Sequence, residues 1–278
     1  MDKKNFGQKI FYSPLTKIII ASVTFVCILM IGAIIKNSLG FNRNLSYLIF
    51  GIIVPTLVVV SFSWLYKVFE KRKFTDFSTD GIGKNLMIGL ILGTFLCSSL
   101  FLLVYLRDGY DTVISVNSVV FIIPPLAGAL TASILEETVF RGFIFRIVEE
   151  KLGSYLALLI SALIFAVIHL PFQIQNSAGL SIATTLGVLF AIAYIYSRNL
   201  WFPIAIHFAW DLTATYILGI TSHSHTRLIS FRSEWFANGG TLTQPEAYFC
   251  IFAAIIILLI LCHKKRKIVK PYWNKNNK

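Results

Sequence analysis

Long uncharged intervals alternate with short stretches that hold almost all of the ionisable side chains. A bilayer crossing takes ~20 residues of helix, and the uncharged intervals have about that length. Spans are expected at about 18–35, 45–66, 85–106 and 116–135, the last continuing as a helix through a charged segment to about residue 150. Four more are expected at about 154–169, 179–197, 200–220 and 247–263. The interval from Leu152 to Ser197 has no Lys, Arg, Asp or Glu and is too long for one crossing. Pro, Asn, Ser and Gly cluster between Pro171 and Gly179, so the break is placed there. The lysines near the N-terminus followed by an apolar run resemble a signal peptide. Ile18–Ile35 is nevertheless long enough to span and has no small-x-small cleavage site, so it reads as a retained first helix. The pattern predicts an all-α, polytopic transmembrane helical bundle of about eight spans.

Composition sharpens that picture by exclusion. Of the 278 residues 56% are hydrophobic and 14% charged, against about 25% charged in soluble domains, which excludes disorder and argues against a water-soluble globule. Cys27, Cys97, Cys250 and Cys262 all fall in apolar stretches without CxxC or metal-ligand spacing, so they read as buried free thiols. Twenty of the 25 Lys and Arg residues fall in the N-terminal segment, Lys67–Lys84, Arg141–Lys151, Arg198 and the C-terminal tail. Positive charge collects on the cytoplasmic side, so both termini are expected there, in a multi-pass cell-membrane protein. The net charge of +12 is then mostly topological, and the tail HKKRKIVKPYW is expected to lie against anionic headgroups. No nucleic-acid motif accompanies the basic residues, so no nucleic-acid partner is expected.

Ionisable groups inside a membrane are costly and usually mark function. Here they are Glu136, Glu137 and Asp211, with His169 and His207. In TASILEETVFRGFIF, Glu137 stands four residues before Arg141, the favoured order for a helical ion pair, which leaves Glu136 available. Gly128, Ala129, Ala132 and Ser133 form two overlapping small-xxx-small pairs on the same helix and suggest close helix approach there. If this helix turns at Leu152 to Ser154, Glu136 and His169 are about equally far from the turn, and they can meet across adjacent antiparallel helices. In NLWFPIAIHFAWDL, His207 and Asp211 lie four apart on one face. Each fragment has a bland reading: an interfacial anchor, a histidine at a helix end, an Asp that only orients a His. His223 and His225 lie in the polar external loop Thr221–Pro245 and are read as solvated.

A carboxylate facing an imidazole can take a proton from water, which then attacks a peptide carbonyl, while a second His and an Asp stabilise the oxyanion or orient the substrate. The same Glu136, His169, His207 and Asp211 would equally serve as ligands to a zinc ion. The spacing is not HExxH, and no Ser, Cys or Lys stands beside a base as a covalent nucleophile.

EETVFR at 136–141, FAVIH at 165–169 and HFAWD at 207–211 resemble the EExxxR, FxxxH and HxxxN/D motifs of the CAAX-processing and bacteriocin-processing (CPBP, Abi) intramembrane proteases, over roughly residues 115–220. The resemblance implies an eight-helix endopeptidase open to the membrane and cytoplasm. It implies that Glu136 and His169 activate water, that His207 and the residue at 211 form the oxyanion site, and that Arg141 supports Glu137. Where the CAAX enzymes have Asn this chain has Asp211, and an ionised carboxylate cannot donate to an oxyanion. Asp211 is then protonated, orients His207, or ligates a metal. Metal-free catalysis is the preferred reading, with divalent zinc as the alternative. The expected organisation is a cytoplasmic segment (1–17), N-terminal transmembrane helices (18–110), the CPBP core (115–220), an external loop (221–246), a last transmembrane helix (247–263) and a basic cytoplasmic tail (264–278). The expected substrate is a hydrophobic peptide or membrane-protein segment. A non-catalytic bacteriocin-immunity or regulatory protein using the same cavity is the alternative function. A transporter is the third, disfavoured by the lack of an inverted repeat.

Overall fold

A computed structural model describes residues 11–38, 40–71, 75–108, 122–173, 177–217 and 245–271. Among these there is no strand, and the helices form seven continuous runs: Pro14–Ser38 (α1), Arg43–Glu70 (α2), Ile82–Asp108 (α3), 123–173, Ser177–Ser197 (α6), 201–217 (α7) and Pro245–Lys264 (α8). The run 123–173 is about twice a crossing, and Gly153 (φ 80°, ψ 170°) folds it into 123–152 (α4) and 154–173 (α5). Only glycine adopts that backbone readily, which is why the turn falls there. The difference between seven runs and eight expected crossings lies in this fold-back. Among the described residues five helices are long and apolar enough to cross a membrane by length and composition, the 48-residue stretch Ile123–Leu170 counting as one.

The ends of the helices follow local chemistry. The side chain of Asn42 accepts from the Leu45 amide at 3.0 Å and caps α2. Pro124 and Pro125 open α4, where an amide would lack a partner anyway. α5 ends at Gln173 and α6 begins at Ser177, inside the expected break; residues 174–176 lie outside the described residues. The expected external loop also falls outside them, apart from the start of α8, as do residues 1–10 and 272–278.

Large apolar side chains point outward along the bundle, among them Val60 and Trp64 on α2, Ile91 and Phe95 on α3 and Phe249 and Ile256 on α8. Buried positions include Glu137, Arg141, Glu149 and His207. Lipid accepts the apolar exterior, and the polar groups are sheltered by protein. The chain is thus a helical bundle of the multi-pass membrane type.

α3 packs along α7, α2 along α4, α5 and α8 along α6, and α4 also meets α7. A close approach on α4 falls one residue away from the expected stripe, at Ala127. A Cβ on Gly51 of α2 would lie 2.9 Å from Cβ of Ala127, whereas a Cβ on Gly128 would meet nothing within 4 Å. The expectation of close approach through Gly128 is therefore corrected: the small surface at that height belongs to the partner helix, at Gly51.

Candidate active site

α4 carries the acidic pair. Residues Thr138–Phe145 form a π-helical stretch in which every residue is buried, and such widened turns are frequent at functional sites. The Arg141 guanidinium donates to Oε1 of Glu137 at 2.8 Å, with both side chains fully buried. It also donates to the Gly187 carbonyl on α6 at 2.9 Å and lies over the rings of Phe165 (4.7 Å) and Phe190 (5.3 Å). A buried ion pair needs such additional partners to offset the loss of hydration.

The tautomers of both histidines follow from their neighbours. Nδ1 of His207 is 2.9 Å from Oε1 of Glu137, whose carboxylate, paired with Arg141, can only accept. Nδ1 of His207 therefore carries a proton. Its Nε2 faces Oδ2 of Asp211 at 3.4 Å and Oε2 of Glu136 at 3.9 Å. On α5, Nδ1 of His169 is 2.7 Å from the Phe165 carbonyl, again an acceptor, so that nitrogen donates. Nε2 of His169 is left facing Oε2 of Glu136 at 3.5 Å. Both imidazoles thus turn Nε2 to one carboxylate, and Oε2 of Glu136 is buried without a hydrogen-bond partner among the described residues. Phe190 stacks on His207 (centroids 4.6 Å apart, 15° between planes), and Phe165 lies 4.5 Å from the His169 ring. Glu136, His169, His207 and Asp211 converge from α4, α5 and α7, with Glu137 and Arg141 directly behind His207.

Residues 118–213, which contain this whole cluster, match the family model described as type II CAAX prenyl endopeptidase Rce1-like. Over that stretch, about a third of its length, the chain is similar to the CPBP family. It is also 33% identical over 82 residues to the protein named "Putative membrane peptidase YdiL" of Bacillus subtilis (strain 168). That similarity covers 30% of this chain and spans about a third (32%) of the relative's length. No solved structure matches the chain.

Three features of this site carry no short-range signal in the sequence. Glu137 meets His207 across 70 residues, Arg141 meets Gly187 across 46, and Phe190 belongs to none of the three motifs. His223 and His225 lie outside the described residues. Glu136, His169, His207 and Asp211 have the donor chemistry of zinc ligands. Among the described residues, however, no group of three or more His, Cys, Asp and Glu side chains is placed to hold a metal ion.

Proposed function

We propose that the chain is an intramembrane endopeptidase that hydrolyses a peptide bond in a hydrophobic peptide or membrane-protein segment, its site approached from the cytoplasmic side, where both termini lie. The observation that carries this reading is the approach of Nε2 of His169 to Oε2 of Glu136 at 3.5 Å, beside His207 and within a membrane bundle. Glu136 and His169 hold the attacking water between them. Glu136 takes one of its protons as the oxygen adds to the scissile carbonyl. His207, held at Nδ1 by Glu137, donates as an imidazolium, with both nitrogens protonated, from Nε2–H to the oxygen of the tetrahedral intermediate. Asp211 acts through His207, its carboxylate facing Nε2 at 3.4 Å and orienting the ring. Glu136 then passes the proton to the departing amine, the C–N bond breaks, and an acid and an amine are released. Arg141 holds the Glu137 carboxylate in place as the acceptor at Nδ1 of His207, which orients that ring.

The test is comparative peptidomics of membranes from cells making the wild-type chain or Glu136→Gln, followed by cleavage of the peptides so found in proteoliposomes, with and without chelator. Glu136→Gln is expected to lower kcat by roughly 10²–10⁴, the range ascribed to a positioned acid–base group, while the protein still inserts. Equal cleavage by both proteins would reject the proposal. Loss of wild-type cleavage on chelation would replace the metal-free scheme with a metal-dependent one.

A further inference from the structure

The connection between α2 and α3 holds a buried carboxylate. Thr75–Phe77 form one 3-10 turn, and its middle residue, Asp76, is 3% exposed. Connecting segments normally run over the surface, and a carboxylate is buried only when it is paired. Asp76 is paired with three helices. Oδ2 accepts from Nη1 of Arg146 on α4 at 2.5 Å, and Oδ1 accepts from the hydroxyl of Tyr194 on α6 at 2.6 Å. Its backbone carbonyl accepts at 2.8 Å from the amide of Leu200, which precedes α7 and has no side-chain cap. Around it, the Ser78 carbonyl accepts from Asn199 at 2.8 Å, Phe77 meets Trp201 edge-on at 5.2 Å, and the Arg146 guanidinium lies over Tyr66 at 5.0 Å.

We propose that Asp76 is a positioning residue for the site, setting the axial register of α7 against α4. This inference rests on the endopeptidase reading. Arg146 and Leu200 are fixed to the same residue at one end of the bundle. From Leu200 to His207 is seven residues, or ~10 Å of α-helix. From Arg146 back to Glu137 is nine, almost all within the π-helical stretch, whose widened turns rise less per residue, so the two paths are comparable in length. The two helices rise from a common anchor to the Glu137–His207 hydrogen bond of 2.9 Å. His207 lies in the second turn of α7, so its height follows how the opening turn is held. Displacement of His207 by ~1 Å moves the oxyanion donor without removing any group that binds substrate, and misplacements of that size can cost about 10²-fold in rate. Asp76 lies outside residues 118–213, while Arg146, Tyr194 and Leu200 lie inside, so a part of the chain beyond the family match holds the matched part in register.

The experiment compares wild type, Asp76→Asn, Asp76→Glu, Asp76→Asn/Arg146→Gln and Glu136→Gln in nanodiscs, measuring kcat and KM on a peptide found above. Histidine-selective 15N spectra are recorded in parallel, with the His207 signals assigned by their loss in His207→Gln. Asp76→Asn leaves Arg146 without its counter-charge. It is expected to lower kcat about tenfold or more with KM within about twofold, and to shift the His207 signals. The double variant replaces the ion pair by an amide pair and is expected to recover most of both. Wild-type kcat and unshifted His207 signals in folded Asp76→Asn overturn the proposal, as does a loss confined to KM. Should Asp76→Asn not accumulate, Asp76→Glu is read by the same criteria, since it keeps the charge and alters only the reach. Glu136→Gln separates the two ideas: if it cleaves like wild type the endopeptidase reading fails, and the His207 signals still decide the register.

Discussion

Without the guanidinium of Arg141, the Glu137 carboxylate would stay fully buried with the His207 imidazole as its one hydrogen-bonding partner among the described residues. Arg141→Met is therefore expected to destabilise the protein by ~3–5 kcal/mol, the usual cost of breaking a buried pair from one side, as checked by denaturant titration in detergent. Asp211 is half-exposed, at 34% of its side-chain surface, and 3.4 Å from His207, so its charge is less costly to remove. Asp211→Asn keeps an acceptor toward His207 and gains a donor, and it is expected to retain cleavage within about tenfold; Asp211→Ala lacks both and falls further. At this scale the legible part was what lies within a helical turn. Glu137 and Arg141, and His207 and Asp211, are each four residues apart, a spacing visible in the chain. The hydrogen bond between Glu137 and His207 joins two such pairs across separate helices, and no periodicity of one helix encodes the partner chosen on another. The proton on each Nδ1 is likewise set by acceptors brought together in space, Glu137 for one ring and the Phe165 carbonyl for the other.

Between elements, the approach that matters most for the site is α3 on α7. A Cβ on Gly89 would lie 2.6 Å from Cβ of Ala205 and 2.9 Å from the Phe202 carbonyl oxygen. One on Gly93 would run into the Ile206 carbonyl oxygen and stand 2.9 Å from Cβ of Ala209. Backbone on the other side cannot rotate away, so Gly93→Ala must push α7 off α3, and His207 follows Ile206 directly. Gly93→Ala is expected to reduce cleavage more than tenfold and lower the unfolding midpoint. Gly128→Ala is expected to be neutral or to stabilise by up to ~1 kcal/mol through helix propensity. Measuring both in one detergent titration checks the contrast. GLILG at 89–93 is a GxxxG pattern, the sequence signal of close helix approach in membranes, so this contact could have been found by the same rule that pointed to Gly128. The rule identifies small residues, but which of them meets a partner depends on rotation about the helix axis. The π-helical stretch at 138–145, all eight residues of which are buried, has no comparable signal in the chain.

Over the whole molecule, membrane class was legible from uncharged length alone, because the bilayer sets that length independently of packing. What the basic tail does was not. The tail was expected against lipid headgroups, yet residues 267–271 also fold back on the bundle. The Val269 carbonyl accepts from the amide of Ser154, the first residue of α5, at 3.0 Å, and the Val269 amide donates to the Ser154 hydroxyl at 2.8 Å. The Lys267 carbonyl accepts from Arg198 at 2.6 Å, and Arg198 is paired with Glu149 at 2.5 Å. Two segments outside residues 118–213 thus act alike: Asp76 receives the amide that opens α7, and Val269 receives the one that opens α5, the helices that carry His207 and His169. The tail lies so close to the turn that a Cβ on Gly153 would be 2.9 Å from the Val269 oxygen and from the Pro271 nitrogen. Ending the chain at Lys265 would strip the partner from Ser154, which is 1% exposed, and one from Arg198. Each orphaned buried group costs about 1–3 kcal/mol, so the shortened chain is expected to unfold at lower denaturant and to lose cleavage. Replacing the exposed Lys264, Arg266 and Lys270 by Gln removes charge while leaving every one of those backbone contacts in place. If the tail serves the fold through its backbone, the charge-stripped protein keeps its midpoint and the shortened one does not. If its role is only electrostatic, the two losses are equal and both shrink in bilayers without anionic lipid.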